Sequence, residues 1–139
     1  MIEYNFKTQF VLKNKRKYTD WLKKVINGDG FVTGDISYVF TNDEELLQIN
    51  KEYLNHHDYT DIITFDYTSN KRISGDIFIS IDRVKENAVK YKVQFEEELR
   101  RVMIHGILHL MGLKDKTTLE KSIMTAAEDN KLQMFHVEP

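Results

Sequence analysis

No cysteine occurs anywhere in the 139 residues. That excludes a disulfide framework and any thiolate zinc site. Together with an N-terminus (Met1 to Phe6) that lacks the basic and apolar regions of a secretory signal, it points to a cytoplasmic location. The single proline is Pro139, so nothing reads as a proline-rich linker. No stretch approaches the ~20 apolar residues of a membrane span, and no membrane partner is expected. Charge of one sign is missing as well. Twenty Lys and Arg stand against 22 Asp and Glu, a formal charge of −2, which removes the global signature of a nucleic-acid-binding protein. Any RNA contact must come from local basic patches. Neither an internal repeat nor a low-complexity tract is visible.

What is present is a globular composition, 41% hydrophobic and 12% aromatic, enough for one domain over residues 1–139 with its own core. Ile2, Tyr4 and Phe6 alternate with polar residues, the period of a half-buried strand. The basic run Lys13 to Lys17 leads into a helix through Trp21, Leu22, Val25 and Ile26, broken at Asn27–Gly30. Ile36, Tyr38 and Phe40 form a second alternating strand. Thr41 and Asn42, each with a glutamate three residues on, offer overlapping caps for a helix reaching about Leu54. Strands are predicted over Thr60–Tyr67 and Gly75–Ile81 around a polar turn. Helices are predicted from about Asp82 to Tyr91, from Phe95 to Met111, and from a Thr117/Glu120 capping box through Leu132. The order β-α-β-α-β-β-α-α-α predicts an α+β (mixed α/β) domain of about four strands and five helices. Strand order is left open.

The segment from Val102 to Leu113 is apolar or glycine apart from two histidines, the pattern of a buried helix. His105 and His109, four apart, lie on one helix face, one turn above the other. Gly112 can end the helix and turn the chain, so that Asp115 swings back. His105, His109 and Asp115 thus form a three-ligand zinc pattern with the fourth tetrahedral position open to water. The alternative is that each histidine hydrogen-bonds to the backbone or to a carboxylate, since unpaired buried polar groups cost about 1–3 kcal/mol. The spacing is also that of metzincin peptidases, but there the residue after the first histidine is the glutamate base. Here it is Gly106, which cannot take a proton, and the peptidase reading falls.

His105-Gly106-Ile107-Leu108-His109-Leu110-Met111-Gly112 resembles the motif of the bacterial YbeY endoribonuclease family. Asn50-x-x-Tyr53, Thr60-Asp61, Phe65 and Gly75-Asp76-Ile77 match that family in order. The resemblance implies a metal-dependent, single-domain factor for ribosomal RNA maturation, with His105 and His109 as zinc ligands. The family's third ligand is usually histidine; spacing places Asp115 there, one negative charge more. The family also usually carries an arginine after the helix tyrosine, and this chain has Leu54. Lys51, His56, His57 and Arg72 are the cations that could substitute.

The resulting expectation is a zinc-dependent endoribonuclease acting on single-stranded RNA in 16S rRNA 3′-end maturation and ribosome assembly, with catalytic residues His105, His109 and Asp115. The motif supplies no general base, so the ion or the substrate 2′-hydroxyl must share the proton transfer. Lys13 to Lys17, Arg100-Arg101, and Lys114 and Lys116 could contact phosphates. Ribosomal or assembly-factor proteins are possible partners, and DNA is not expected. The rival is a non-catalytic metal-binding assembly factor that binds RNA or a ribosomal protein.

Overall fold

The alternating segments do pair as strands. A computed structural model describes residues 1–55 and 59–136. Among these the elements are β1 (Ile2–Phe6), α1 (Lys15–Gly28), β2 (Val32–Thr41), α2 (Asp43–Tyr53), β3 (Ile62–Asp66), β4 (Arg72–Ser80), α3 (Ile81–Tyr91), α4 (Phe95–Leu110) and α5 (Thr118–Phe135). The sequence order of strands and helices is the one expected, and the fold is α+β. The sheet runs β1-β2-β4-β3. β1 and β4 flank β2 in parallel, and β3 pairs antiparallel with β4 at the edge. Parallel neighbours need a crossover; α1 supplies the first, and α2 with β3 the second.

The start of β4 and its junction with α3 differ from expectation for physical reasons, and the choice between two caps of α2 is resolved. β4 begins at Arg72 rather than Gly75, because parallel pairing continues through Val32↔Arg72 and Thr33↔Ile73. Ile81 opens α3 instead of closing β4, since the Ser80 hydroxyl accepts the Arg83 amide and caps the helix. Of the two overlapping caps before α2, Asn42 serves, its side chain accepting from the Glu45 amide at 2.9 Å. Thr41 stays in β2, where its buried hydroxyl has no partner among the described residues. The capping box of α5 forms in full between Thr117 and Glu120.

Tyr38, Phe40, Ile36, Ile77 and Ile79 carry the sheet side of the core, against Leu22, Val25 and Ile26 of α1 and Leu99, Met103, Ile104 and Ile107 of α4. Tyr38 is fully buried, and its hydroxyl donates to the Met103 carbonyl at 2.9 Å, so the aromatic residue brings no unsatisfied polar atom into the core.

α4 is buried around most of its circumference, as its apolar sequence requires. It crosses β3 and β4 at Gly106. A Cβ there would stand 3.0 Å from Ile62 Cδ1 and from Ile77 Cγ2, tighter than nearly all carbon contacts. Helix propensity alone favours alanine over glycine, but overpacking costs more. Gly106→Ala is therefore expected to lose about 1 kcal/mol in urea unfolding. Gly28→Ala, where nothing lies within 4 Å of the new Cβ, is expected to gain about 0.5 kcal/mol.

Candidate metal centre

The end of α4 builds the site. Gly112 adopts φ 103°, a conformation open to glycine at little cost. Its amide returns to the His109 carbonyl and the Leu113 amide to the Leu108 carbonyl, both at 3.0 Å, the paired bonds of a Schellman motif. The chain reverses, and two groups of the returning segment meet the histidines. The Leu113 carbonyl lies 3.0 Å from His109 Nδ1. Asp115 Oδ2 lies 3.2 Å from His105 Nε2 and 3.3 Å from His109 Nε2.

The other nitrogen of His105 is held from α5. Glu128 Oε2 is 2.6 Å from His105 Nδ1, while Glu128 Oε1 accepts from Arg101 at 2.8 Å. Arg101 also donates to Asp129 at 2.6 Å. A carbonyl can only accept, so His109 Nδ1 carries the hydrogen; an ionised Glu128 imposes the same on His105. In neutral rings both Nε2 atoms are then left with lone pairs facing Asp115 Oδ2. Three lone pairs converging on one point repel unless a proton or a metal cation lies among them. The three ligand atoms fall within 4.8 Å of one another, a grouping that could hold a metal ion. Two tetrahedral zinc ligands at 2.0–2.1 Å stand about 3.3 Å apart, which the N···O separations match. Nitrogen and carboxylate donors with a hydrogen-bonded outer shell suit such an ion.

His105 and Asp115 open into a cavity of about 660 Å³ that Asp61, Asn87, Glu98 and Arg101 also line. It is acidic. Burial works against protonation of His105, but the hydrogen bond and charge of Glu128 and the charges of Asp115 and Asp61 outweigh it and raise its pKa. Burial likewise raises that of Asp61, whose carboxylate lies 3.5 Å from Asn87 Nδ2. Glu98, 5% exposed, is pushed up to about 7 by burial first and by Asp61 second, with Arg101 pulling the other way.

Other residues singled out in the sequence are scattered. Leu54 faces a neighbouring cleft of about 320 Å³ with Asn50, Tyr59 and Thr64; Ile62 lines both this cleft and the acidic cavity. Position 54 thus borders the site but brings no charge to it. Arg72 stands at the start of β4, 3.9 Å from Asp35, and Lys51 is exposed on α2. His56 and His57 lie outside the described residues. Gly75 is structural: a Cβ there would sit 2.5 Å from the Phe65 carbonyl oxygen. The Thr60 hydroxyl donates to the Ile62 carbonyl, a local strand-edge bond. The Lys116 amide donates to Glu120 in the turn before α5. Arg101, read from sequence as a possible phosphate contact, is committed to Glu128 and Asp129. Glu128 itself escaped sequence reasoning. Its signal was a carboxylate on the apolar stripe Met124–Glu128–Leu132, at four-residue spacing.

Side chains that could hold a cation on a buried helix, opening into a cavity with titratable carboxyls, fit the class of metal-dependent hydrolases. A model of the family described as endoribonuclease YbeY matches residues 3–136. The endoribonuclease YbeY of Flavobacterium johnsoniae is 52% identical over 138 residues, 99% of each chain. That of Bacteroides thetaiotaomicron is 48% identical over 120 residues, 86% of this chain and 88% of its own. The chain belongs to the YbeY endoribonuclease family. The solution structure of a Thermotoga maritima protein shares the fold, with a TM-score of 0.68 and 23% identity over 97% of this chain and 89% of that one.

Glu128→Ala is expected to weaken metal binding about 10–100-fold in chelator competition, with His105 free to turn. Glu98 has a different signature. Its unfolded counterpart ionises near pH 4.5 while the folded one keeps its proton to about pH 7, so its contribution becomes unfavourable as pH rises across that window. Glu98→Gln cannot ionise. It is expected to gain stability over wild type between pH 4 and pH 8, by about 1–3 kcal/mol in urea titrations.

Proposed function

We propose that this chain, acting as a single domain over residues 1–139, cleaves single-stranded RNA with one zinc ion held by His105, His109 and Asp115. The supporting observation is the convergence of two Nε2 atoms and a carboxylate oxygen on one point, with both Nδ1 atoms committed elsewhere. When bound, the ion polarises a phosphoryl oxygen and lowers the pKa of water. The chain's own residues orient and tune. Glu128 and the Leu113 carbonyl fix the tautomers. Asp115 brings a negative charge where the family usually has histidine, which would lower the effective charge of the ion relative to three histidines. Asp61, whose pKa burial raises, is a carboxyl of the cavity that would exchange a proton with substrate. The substrate we infer is ribosomal RNA, in 16S rRNA 3′-end maturation in the cytoplasm, with ribosomal or assembly-factor proteins as partners. Among the described residues no helix is long and apolar enough to cross a membrane.

A second reading draws on Leu54, which leaves the adjoining cleft without a cation among the described residues: a metal-binding assembly factor that binds RNA without cutting it. Purified protein incubated with single-stranded ribosomal RNA separates the two. The nuclease reading expects cleavage that chelator abolishes, that added zinc restores, and that His109→Ala lowers by at least about 100-fold. Binding without chelator-sensitive cleavage would transfer the chain to the second reading. Asp115→Ala is expected to lose zinc in metal analysis, and unchanged occupancy would remove Asp115 from the centre.

A further inference from the structure

Two basic segments far apart in the sequence meet in the fold. Lys17 Nζ and the Arg100 guanidinium each lie 4.6 Å from the centre of the Phe135 ring. Lys13, Lys17 and Arg100 line one groove of about 440 Å³, with Phe10 and Phe95 on its walls and Glu96 among its lining residues. Among the described residues, none of Lys13, Lys15, Arg16, Lys17 and Arg100 is ion-paired.

The arrangement is electrostatically unfavourable in the chain by itself. The first turn of α1 is Lys15-Arg16-Lys17, with no acidic residue and no side-chain cap. Cations there oppose the helix dipole, which favours negative charge at that end. Bringing Arg100 to the same ring as Lys17 adds repulsion between like charges. A polyanion lying along the groove relieves both effects.

The groove also leads somewhere. Arg100 lines a second cleft together with Arg101 and Glu97, and those two residues line the cavity of the metal centre. Along the axis of α4, Arg100 and His105 are separated by about 7.5 Å. Half-buried Phe10 and Phe95, 5.7 Å apart, put aromatic surface on the groove wall that a base can contact.

We propose that this groove, carrying Lys13, Lys17 and Arg100 between the start of α1 and the α4–α5 pair, holds the phosphate backbone of the single-stranded RNA whose scissile link lies at the metal centre. The inference rests on the endoribonuclease reading and adds where the strand is gripped. A substrate of two or three nucleotides reaches the metal centre alone. One of about 15 nucleotides, within the range of single-strand sites, reaches both.

The test is fluorescence anisotropy with a labelled RNA of about 15 nucleotides, across a salt series, on the zinc-loaded protein. The combined variant Lys17→Gln with Arg100→Gln is expected to bind about 10-fold more weakly near 0.1 M salt, with the slope of log affinity against log salt reduced by about 1.4. Its melting temperature is expected to be no lower than wild type, since both changes remove like-charge repulsion, and its cleavage of a trinucleotide is expected to be unchanged. His105→Ala is expected to bind RNA as wild type does and to cleave none. Unchanged affinity and slope in the double variant overturn the groove. The same result with loss of binding to poly-glutamate would assign the surface to an acidic protein segment, and also overturns it. Cleavage persisting in His105→Ala strikes the metal-centre reading instead, so the two failures are distinguishable.

Discussion

The close seating of α4 on β3 and β4 is the constraint on which the rest of the molecule depends. Gly106 lets the helix axis approach the sheet until Ile62 and Ile77 fill the space a Cβ would take. With that face pressed down, His105 and His109, on either side of Gly106, emerge at the rim rather than in the core, each about a quarter exposed or less. The absent side chain that rules out a peptidase base at this position is thus also the packing device that positions the metal centre. One glycine serves both ends. A helix held farther from the sheet would carry the same histidines away from Asp61 and from the Glu128 clamp.

That clamp makes the site a property of tertiary structure rather than of the motif. His105 takes its orientation from α5 through Glu128, and Arg101 holds Glu128 from the next turn of α4. His109 takes its orientation from the reversal that Gly112 permits. Each imidazole is therefore fixed by a different element, and the two rings stand nearly perpendicular, 84° apart, with centroids separated by 4.5 Å. Local sequence sets the ligands and the His109 tautomer; the long-range pairing of α4 with α5 sets that of His105.

This division explains what was legible in the sequence and what was not. Strand alternation, caps and the buried helix are local patterns, and all nine elements among the described residues follow from them in order. The places where reading fell short are those where a distant partner decides. Thr41 and Asn42 were equivalent caps until β2 claimed Thr41 for its ladder with Ser80. Arg72 to Ser74 looked like turn until β2 offered backbone partners. His105, His109 and Asp115 share one segment, so their convergence was readable from helix spacing and a terminating glycine. Glu128 lies 23 residues from His105, and only the folding of α5 back on α4 brings them together. Arg100 and Arg101 looked like one basic pair, yet adjacent positions on a helix point about 100° apart, and the two guanidinium groups meet opposite partners.

The same geometry gives meaning to a net charge near zero. Asp61, Glu98, Asp115 and Glu128 gather at the metal-centre cavity, with Arg101 as the cation among its lining residues. Lys13, Lys17 and Arg100 gather at the far end of the α4–α5 pair. A polyanionic substrate is repelled by the first region until a divalent cation reduces its negative charge, and is attracted by the second at all times. On the proposed reading grip and cut are separable: the basic groove would hold RNA with or without a bound metal, while the acidic cavity would admit a phosphodiester only with one. Metal binding would then control access as well as chemistry, a coupling that follows from where the charges lie and that a formal charge of −2 conceals.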